Sequence, residues 1–272
     1  MTFQTYEQSA QAGAPIELYE FEVGPIIYRY TSAPDDFVYL TKVFEAVQIV
    51  RGDVEESGEL PKDALTVTVP RDAGIADEFR VAPPSDVILL SIYRMHYDDP
   101  DGERKLFWTG RVLNCEWKGA TADLTCESIY TALKRPGLRR LYQRMCPHVL
   151  YGPACGLQDT AWKLTTTLDT VAGMSLTATA FGTQADGYFA GGMIEWESQP
   201  GRYERRGIKS HVGTTITLTH PVPGLEAGAT LVYWPGCDHS LATCNSKFSN
   251  RANYGGFPYV PKKNPFTGTN VY

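Results

Sequence analysis

Four of the six cysteines in this 272-residue chain lie in two short loops. Cys146 and Cys155 have eight residues between them, and Cys237 and Cys244 have six. Both spacings are too long for one helical turn, and the prolines and glycines within 147–156 exclude regular structure between the first two cysteines. Loops without regular structure or a core of their own need a further interaction to stabilise them, so we predict that the four thiols converge on one site.

Three chemistries are open to four converging thiols. They can bind one tetrahedral zinc ion, bind one cubic iron–sulfur cluster, or form two disulfides in any of three pairings. Paired zinc ligands usually have roughly two to four residues between them, so these wider loops favour a cluster. Zinc, disulfides and free thiols remain as alternatives.

The beginning of the chain bears on the disulfide alternative. Residues 1–9 have neither a basic region nor an apolar run, so we expect no signal peptide, synthesis in the cytoplasm and reduced thiols. The apolar runs are too short to span a bilayer, so no integral membrane segment is expected. A net charge of −6 argues against a general nucleic-acid binder.

The sequence contains no phosphate-binding glycine loop, no nucleophile elbow and no His-Glu-x-x-His helix, so we predict no enzyme. His148 and His239 each follow a candidate cysteine by two residues, and are interpreted as donors to a sulfur or as surface loop residues. Cys115 and Cys126 lie in strand-like sequence and are interpreted as small buried hydrophobes outside the site.

Sixteen tyrosines, eleven phenylalanines, 25 glycines and 18 prolines favour short strands joined by tight turns. Alternating apolar residues predict a hairpin over 15–30, and further strands at 46–50, 64–69, 87–97 and 105–113. A helix is expected over 128–145, divided at Pro136-Gly137, because Leu138, Leu141, Tyr142 and Met145 repeat at helical spacing.

The predicted fold is therefore mainly β. It has one or more N-terminal antiparallel, barrel-like β domains at 1–127 and a short helical segment with the first cysteine loop at 128–160. An inserted small β barrel or sandwich occupies 161–235, and the second cysteine loop with an extended, irregular C-terminal tail occupies 236–272.

Three stretches of the sequence resemble the bacteriophage BR0599-like family of tail hub proteins, which also occur in prophages and gene transfer agents. They are Cys146-Pro147-His148-x-Leu150-Tyr151-Gly152-x-x-Cys155-Gly156, Pro235-Gly236-Cys237-Asp238 followed by Cys244, and Phe248-x-Asn250-x-x-Asn253-Tyr254-Gly255-Gly256-Phe257-Pro258. Residues 13–21 and 110–128 look like the rest of that family, so the resemblance covers nearly the whole chain.

The cysteine spacing is also similar to that of the tail-tip protein of lambda-like siphophages, whose C-terminal region holds a [4Fe–4S] cluster. This resemblance implies that Cys146, Cys155, Cys237 and Cys244 are the cluster ligands. The chain departs from that pattern because a full β module separates its two cysteine pairs.

The resemblance implies a structural virion protein at the tail tip or baseplate, made in the host cytoplasm. The implied assembly is a homotrimer that contacts the distal tail protein, the tape measure protein and the central tip or fibre proteins. The alternatives are an iron–sulfur or cell-wall-acting tail enzyme, or a carbohydrate-binding module in residues 161–235.

Overall fold

The computed structural model describes residues 3–9, 11, 13–54, 64–134, 137, 140–222 and 224–261. The chain forms two compact units, one of Met1–Arg135 with Gln199–Glu204 and the other of Pro136–Ser198 with Arg205–Tyr272. The fold is mainly β, as predicted. The finer division into four segments stays a prediction. None of the described helices is long and apolar enough to cross a membrane.

The described residues of the first unit form nine strands, two short α-helices and one 3-10 helix. The strands are β1 (Pro15–Val23), β2 (Ile26–Thr31), β3 (Phe37–Tyr39), β4 (Lys42–Ala46), β5 (Val50–Arg51), β6 (Ala64–Pro70), β7 (Ile88–His96), β8 (Lys105–Lys118) and β9 (Thr121–Ser128). The helices are α1 (Phe3–Glu7), α2 (Gly74–Asp77) and the 3-10 helix Ile129–Lys134. The strands form one sheet in the order β3-β4-β2-β1-β7-β8-β9-β6-β5.

Connectivity forces this sheet to curl. β4 and β5 are seven strand spacings apart in the sheet, yet only residues 47–49 connect them in the chain. Seven spacings in a flat sheet would measure roughly 34 Å, at about 4.8 Å each, whereas four peptide steps reach about 14 Å at most. The sheet must therefore bend back on itself and enclose its inner face.

Alternating side chains fill the enclosed space. On β6, Leu65, Val67 and Val69 are buried while their neighbours along the strand are more exposed, and β9 alternates in the same way. β1 and β2 form the predicted hairpin, with Val23 paired to Ile26. The predicted strand at 46–50 is wrong, because residues 47–49 make the crossing between the ends of the sheet.

Cys115 and Cys126 pack against this core, as predicted. Cys126 is fully buried, and burial raises the pKa of its thiol to about 12. Both therefore behave as small apolar core residues.

The predicted helix over 128–145 is mostly wrong. Only the 3-10 helix Ile129–Lys134 forms, residues 140–145 are not helical, and residues 135, 136, 138 and 139 lie outside the described part of the chain. Tyr142 is exposed rather than buried, so an apolar helix face would have had no core to cover. The segment is held by other contacts: the Tyr142 ring lies 4.1 Å from the Phe257 ring, and the Phe257 N–H donates to the Gln143 carbonyl at 2.8 Å.

The second unit contains the other described strands and helices, except that the segment Gln199–Glu204, which ends one strand and begins the next, belongs to the first unit. The strands are β10 (Leu164–Thr167), β11 (Thr170–Ala172), β12 (Ser175–Thr177), β13 (Met193–Gln199), β14 (Arg202–Val212), β15 (Thr215–Leu218) and β16 (Thr230–Trp234), in the order β10-β16-β13-β14-β15-β12-β11. The helices are α3 (Asp159–Trp162), the 3-10 helix Thr179–Thr183, α4 (Leu241–Ser246) and the 3-10 helix Arg251–Asn253.

This sheet is curled for the same reason. β10 and β11 lie at its two ends, six strand spacings apart, and only Leu168 and Asp169 connect them. Six spacings would measure roughly 29 Å in a flat sheet, against about 11 Å for three peptide steps. Leu164 pairs with Tyr233, so the chain enters and leaves this small barrel on neighbouring strands.

The aromatic side chains of this barrel form its core. Phe181, Phe189 and Trp196 are buried together, and Tyr203 is the only exposed aromatic residue in the described part of 161–235. A carbohydrate-binding module would present clustered aromatic rings at its surface. The described structure therefore gives that alternative no support.

A buried ion pair fixes the segment Gln199–Glu204 within the first unit. The Arg202 guanidinium donates to both carboxylate oxygens of Glu78, at 2.9 and 2.7 Å, and to Glu204 at 3.0 Å. All three side chains are at least nine-tenths buried. Removing the Arg202 guanidinium would leave the carboxylates of Glu78 and Glu204 buried without their positively charged partner.

We therefore expect Arg202→Ala to lower the free energy of unfolding of the first unit by about 3–5 kcal/mol, because a buried charge loses its partner. Arg80→Ala is the control: Arg80 pairs with Asp77 at the surface, where such a pair contributes about 0–1 kcal/mol. Urea unfolding curves of the two variants measure the difference. Equal losses of unfolding free energy in the two variants would contradict the assignment of a buried ion pair at Arg202.

Candidate metal centre

The structure brings the four predicted cysteines together. Cys146, Cys155, Cys237 and Cys244 all line one small cavity, whose apolar walls include Leu150, Leu157 and Phe248. All six cysteines of the chain are free thiols. Residues that are far apart in the sequence therefore meet in one enclosed place.

The first cysteine loop is a series of tight turns. The N–H groups of Cys155 and Gly156 both donate to the Gly152 carbonyl at 3.0 Å. Gly156 has φ of +73°, and a Cβ there would lie 2.8 Å from the Asn253 side chain, so the position requires glycine. The Tyr151 hydroxyl donates to the Pro235 carbonyl at 2.9 Å and connects this loop to the chain just before Cys237.

The second cysteine loop begins directly after β16 and ends in α4. Ser240 caps α4 by accepting a hydrogen bond from the Thr243 N–H at 3.1 Å, and Cys244 lies within that helix. His239 adopts φ of +62°, which is unusual for a residue with a side chain. In this conformation its backbone N–H donates to the Cys237 sulfur at 3.3 Å.

The two loops are joined through their backbones. The Cys146 N–H donates to the His239 carbonyl at 3.0 Å. The Tyr254 hydroxyl lies between the same two segments, 2.8 Å from the Arg144 carbonyl and 3.3 Å from the His239 carbonyl. The thiols are thus held near one another by contacts that do not involve sulfur.

Three of the four sulfurs also receive an N–H group. Besides His239 at Cys237, the Gly255 N–H donates to the Cys146 sulfur at 3.4 Å and the Asn250 side-chain amide donates to the Cys155 sulfur at 3.7 Å. Such donors stabilise the thiolate form of cysteine. By ligand type, these four cysteines with their N–H donors match a thiolate-bound iron–sulfur cluster, although within the described residues they are not placed to hold a single metal ion.

The surroundings of the cavity disfavour the thiolate form of the cysteines. Burial raises the pKa of the Cys237 and Cys244 thiols, and the neighbouring cysteines raise both further. A bound cation reverses this balance because it stabilises every thiolate at once. Within the described part of the chain, no three His, Cys, Asp or Glu side chains are placed to hold a single metal ion.

Comparison with known proteins agrees with this architecture. The family described as baseplate hub protein, N-terminal attachment domain, matches residues 23–158, which is half of the chain. The chain belongs to this baseplate hub family. Residues 187–264 also match the family described as phage conserved hypothetical protein BR0599, which confirms the resemblance seen in the sequence. Membership places the protein in the virion tail, as predicted.

Individual proteins are similar to this chain as well. An uncharacterized protein of Xylella fastidiosa (strain 9a5c) is 25% identical over 181 residues, which are 61% of this chain but only 37% of that relative's length. A chain in the solved structure titled "Virion of native gene transfer agent (GTA) particle" superimposes with a TM-score of 0.78 at 18% identity, covering 99% of this chain and 96% of that one. The second likeness shows that the fold is shared.

His148 and His239 contact the cysteine loops in different ways. His239 supplies its backbone N–H, not its ring, to a cysteine sulfur. The His148 ring lies 3.1 Å from the Asn253 carbonyl, and it packs so closely on Gly255 that a Cβ there would approach its Nε2 to 2.4 Å. His148 therefore supports the backbone that donates to Cys146.

Sequence reasoning missed Lys247, which connects the second cysteine loop to the barrel. Its ammonium donates to the carbonyls of Gly236, at 2.7 Å, and Tyr188, and it lies 3.8 Å from the centre of the Tyr188 ring. Burial lowers the pKa of Lys247 to about 8. Nothing in the local sequence around Lys247 distinguishes it from a surface lysine.

Gly236 offers a test of this connection. A Cβ on Gly236 would lie 1.8 Å from the Ala190 carbonyl oxygen and 2.5 Å from the Gly192 nitrogen, so backbone must move. We expect Gly236→Ala to lower the free energy of unfolding of the second unit by about 1–3 kcal/mol. At Gly137 a Cβ would meet nothing within 4 Å, so Gly137→Ala serves as the neutral control in the same chemical denaturation assay. A Gly236→Ala protein as stable as the control would refute the close packing.

Proposed function

We propose that this protein is a structural subunit of the baseplate hub, present as a homotrimer around the tail axis. It links the distal tail tube to the central tip or fibre proteins, with the distal tail protein and the tape measure protein as further neighbours. Family membership supports this role. Exposed apolar residues support it as well: in the first unit, Ile129, Tyr130 and Leu133 of the 3-10 helix are each more than half exposed, as expected of a surface that other subunits cover.

We further propose that Cys146, Cys155, Cys237 and Cys244 hold a [4Fe–4S] cluster that serves as a structural staple, with zinc as the alternative metal. The observation that carries this proposal is the shared cavity, in which four thiols from two distant loops meet and three receive N–H donors. When bound, the cluster would be held by four iron–sulfur bonds, two to each loop, so its binding free energy would contribute to folding.

An iron–sulfur enzyme or a cell-wall-acting tail enzyme is the competing function. A catalytic iron site keeps one coordination position open for substrate, whereas here four cysteines are available for the four irons. The donor set therefore favours a structural role.

The cluster can be tested on protein purified without oxygen. We expect brown protein that contains iron and acid-labile sulfide, because four reduced thiolates in one cavity match the ligands of such a cluster. Serine at any one of the four positions should remove the colour and destabilise the second unit, whereas Cys115→Ser should change neither. Stoichiometric zinc without iron would refute the cluster.

The structural role can be tested by deleting the gene in its phage or prophage. We expect filled heads with absent or stalled tails, and rescue by the wild-type gene, because a hub subunit is needed before the tail tube can grow. Electron microscopy of the lysates measures this outcome. Normal virions that lack the protein and fail only to penetrate the cell envelope would instead favour the enzyme.

A further inference from the structure

We propose that Asn250 is the positioning residue of the cysteine site, an inference that deepens the proposed function and rests on it. Asn250 contacts one cysteine from each pair. Its side chain contacts Cys155, and its backbone contacts Cys244. It would set the separation of Cys155 and Cys244 and, among the described residues, supply the side-chain N–H that reaches a ligand sulfur.

The contacts of Asn250 account for all of its polar atoms. Its side-chain amide donates to the Cys155 carbonyl at 2.7 Å and to the Cys155 sulfur at 3.7 Å. Its backbone N–H donates to the Cys244 carbonyl at 2.9 Å, and its backbone carbonyl accepts from the Asn253 N–H at 3.1 Å. The same carbonyl also accepts from the Cys244 thiol at 3.3 Å, a bond that exists only while Cys244 is a free thiol and that binding of its thiolate to a metal would remove. Asn250 is buried, so these bonds are shielded from water.

A neighbouring residue fixes the direction of the Asn250 side chain. The Asn253 amide donates to the Asn250 side-chain oxygen at 2.8 Å. The amide end of Asn250 must then face Cys155, because its oxygen is already engaged as an acceptor. Asn253 in turn lies against Gly156, the glycine that directly follows Cys155. The C-terminal segment therefore holds the first cysteine loop through a chain of two carboxamides.

The chemistry of this position requires a carboxamide of this length. Leucine has nearly the same shape but would leave the Cys155 carbonyl without its donor. Aspartate would turn an acceptor and a negative charge toward both the Cys155 carbonyl and its sulfur. Glutamine is one methylene longer and would have to displace a packed neighbour.

An N–H directed at a ligand sulfur has two consequences for a bound iron centre. It withdraws electron density from the sulfur, which raises the reduction potential of the centre. It also holds the ligand in place, and losing such an outer contact typically costs about 10–100-fold in metal affinity. A merely structural residue would change stability without changing the potential.

The experiment compares Asn250→Leu and Asn250→Asp with the same changes at Asn245, an exposed residue of α4 next to Cys244. Each protein is purified without oxygen, and two quantities are measured: the midpoint potential by redox titration and the rate of iron transfer to a chelator. We expect both Asn250 variants to have a lower potential than wild type and to lose iron about 10–100-fold faster. Asn245→Leu and Asn245→Asp should match wild type.

Asn250→Leu is the decisive variant because it introduces no charge. Wild-type potential and wild-type iron loss in soluble Asn250→Leu protein would overturn the proposal. If that variant does not fold, Asn253→Leu replaces it, since it removes the bond to the Asn250 side-chain oxygen and leaves Asn250 itself intact. An unchanged potential in Asn253→Leu would then count against the proposal.

The outcome for the proposed function is separate. Wild-type protein that holds zinc would refute the cluster, and the rate of zinc transfer to a chelator then tests Asn250 with the same expected order of variants. Wild-type protein that binds no metal would contradict both the proposed metal centre and the proposed role of Asn250.

Discussion

Backbone contacts between two distant loops bring four thiols to one cavity, although 81 residues separate Cys155 from Cys237. Burial and mutual repulsion oppose four thiolates there. Backbone contacts hold the loops together without sulfur, chiefly the bond from the Cys146 N–H to the His239 carbonyl. The loops thus meet without a metal, and the cationic centre that we propose would relieve the repulsion between the thiolates.

Barrel closure explains how a long insertion can separate the two cysteine pairs without disturbing them. Leu164 and Tyr233 pair at the ends of the small barrel, so the chain leaves and returns at neighbouring positions. Lys247 and Gly236 then pack the second cysteine loop against that barrel. The barrel therefore acts as a support for the site, which suits a structural part of a virion tail.

Much of this could be predicted from sequence, because apolar alternation reports burial directly. The hairpin of β1 and β2 and the strand β6 follow from it, and the cysteine spacing indicated two loops. The helix expected over 128–145 is mostly wrong because periodicity cannot reveal whether an apolar face has a core to cover, and Tyr142 is exposed with its ring against that of Phe257. Barrel closure depends on strand order, and the role of Asn250 depends on contacts across 95 residues, neither of which a single sequence encodes locally.

The most direct test of the central claim is an electron cryomicroscopy map of the intact tail tip at a resolution that separates side chains. We expect three copies of this chain around the tail axis, each with one compact density joined to the sulfurs of Cys146, Cys155, Cys237 and Cys244. Separate, unconnected cysteine side chains or two disulfides at these positions would contradict the proposed cluster. Absence of the chain from the tail tip would contradict the proposed role as a hub subunit.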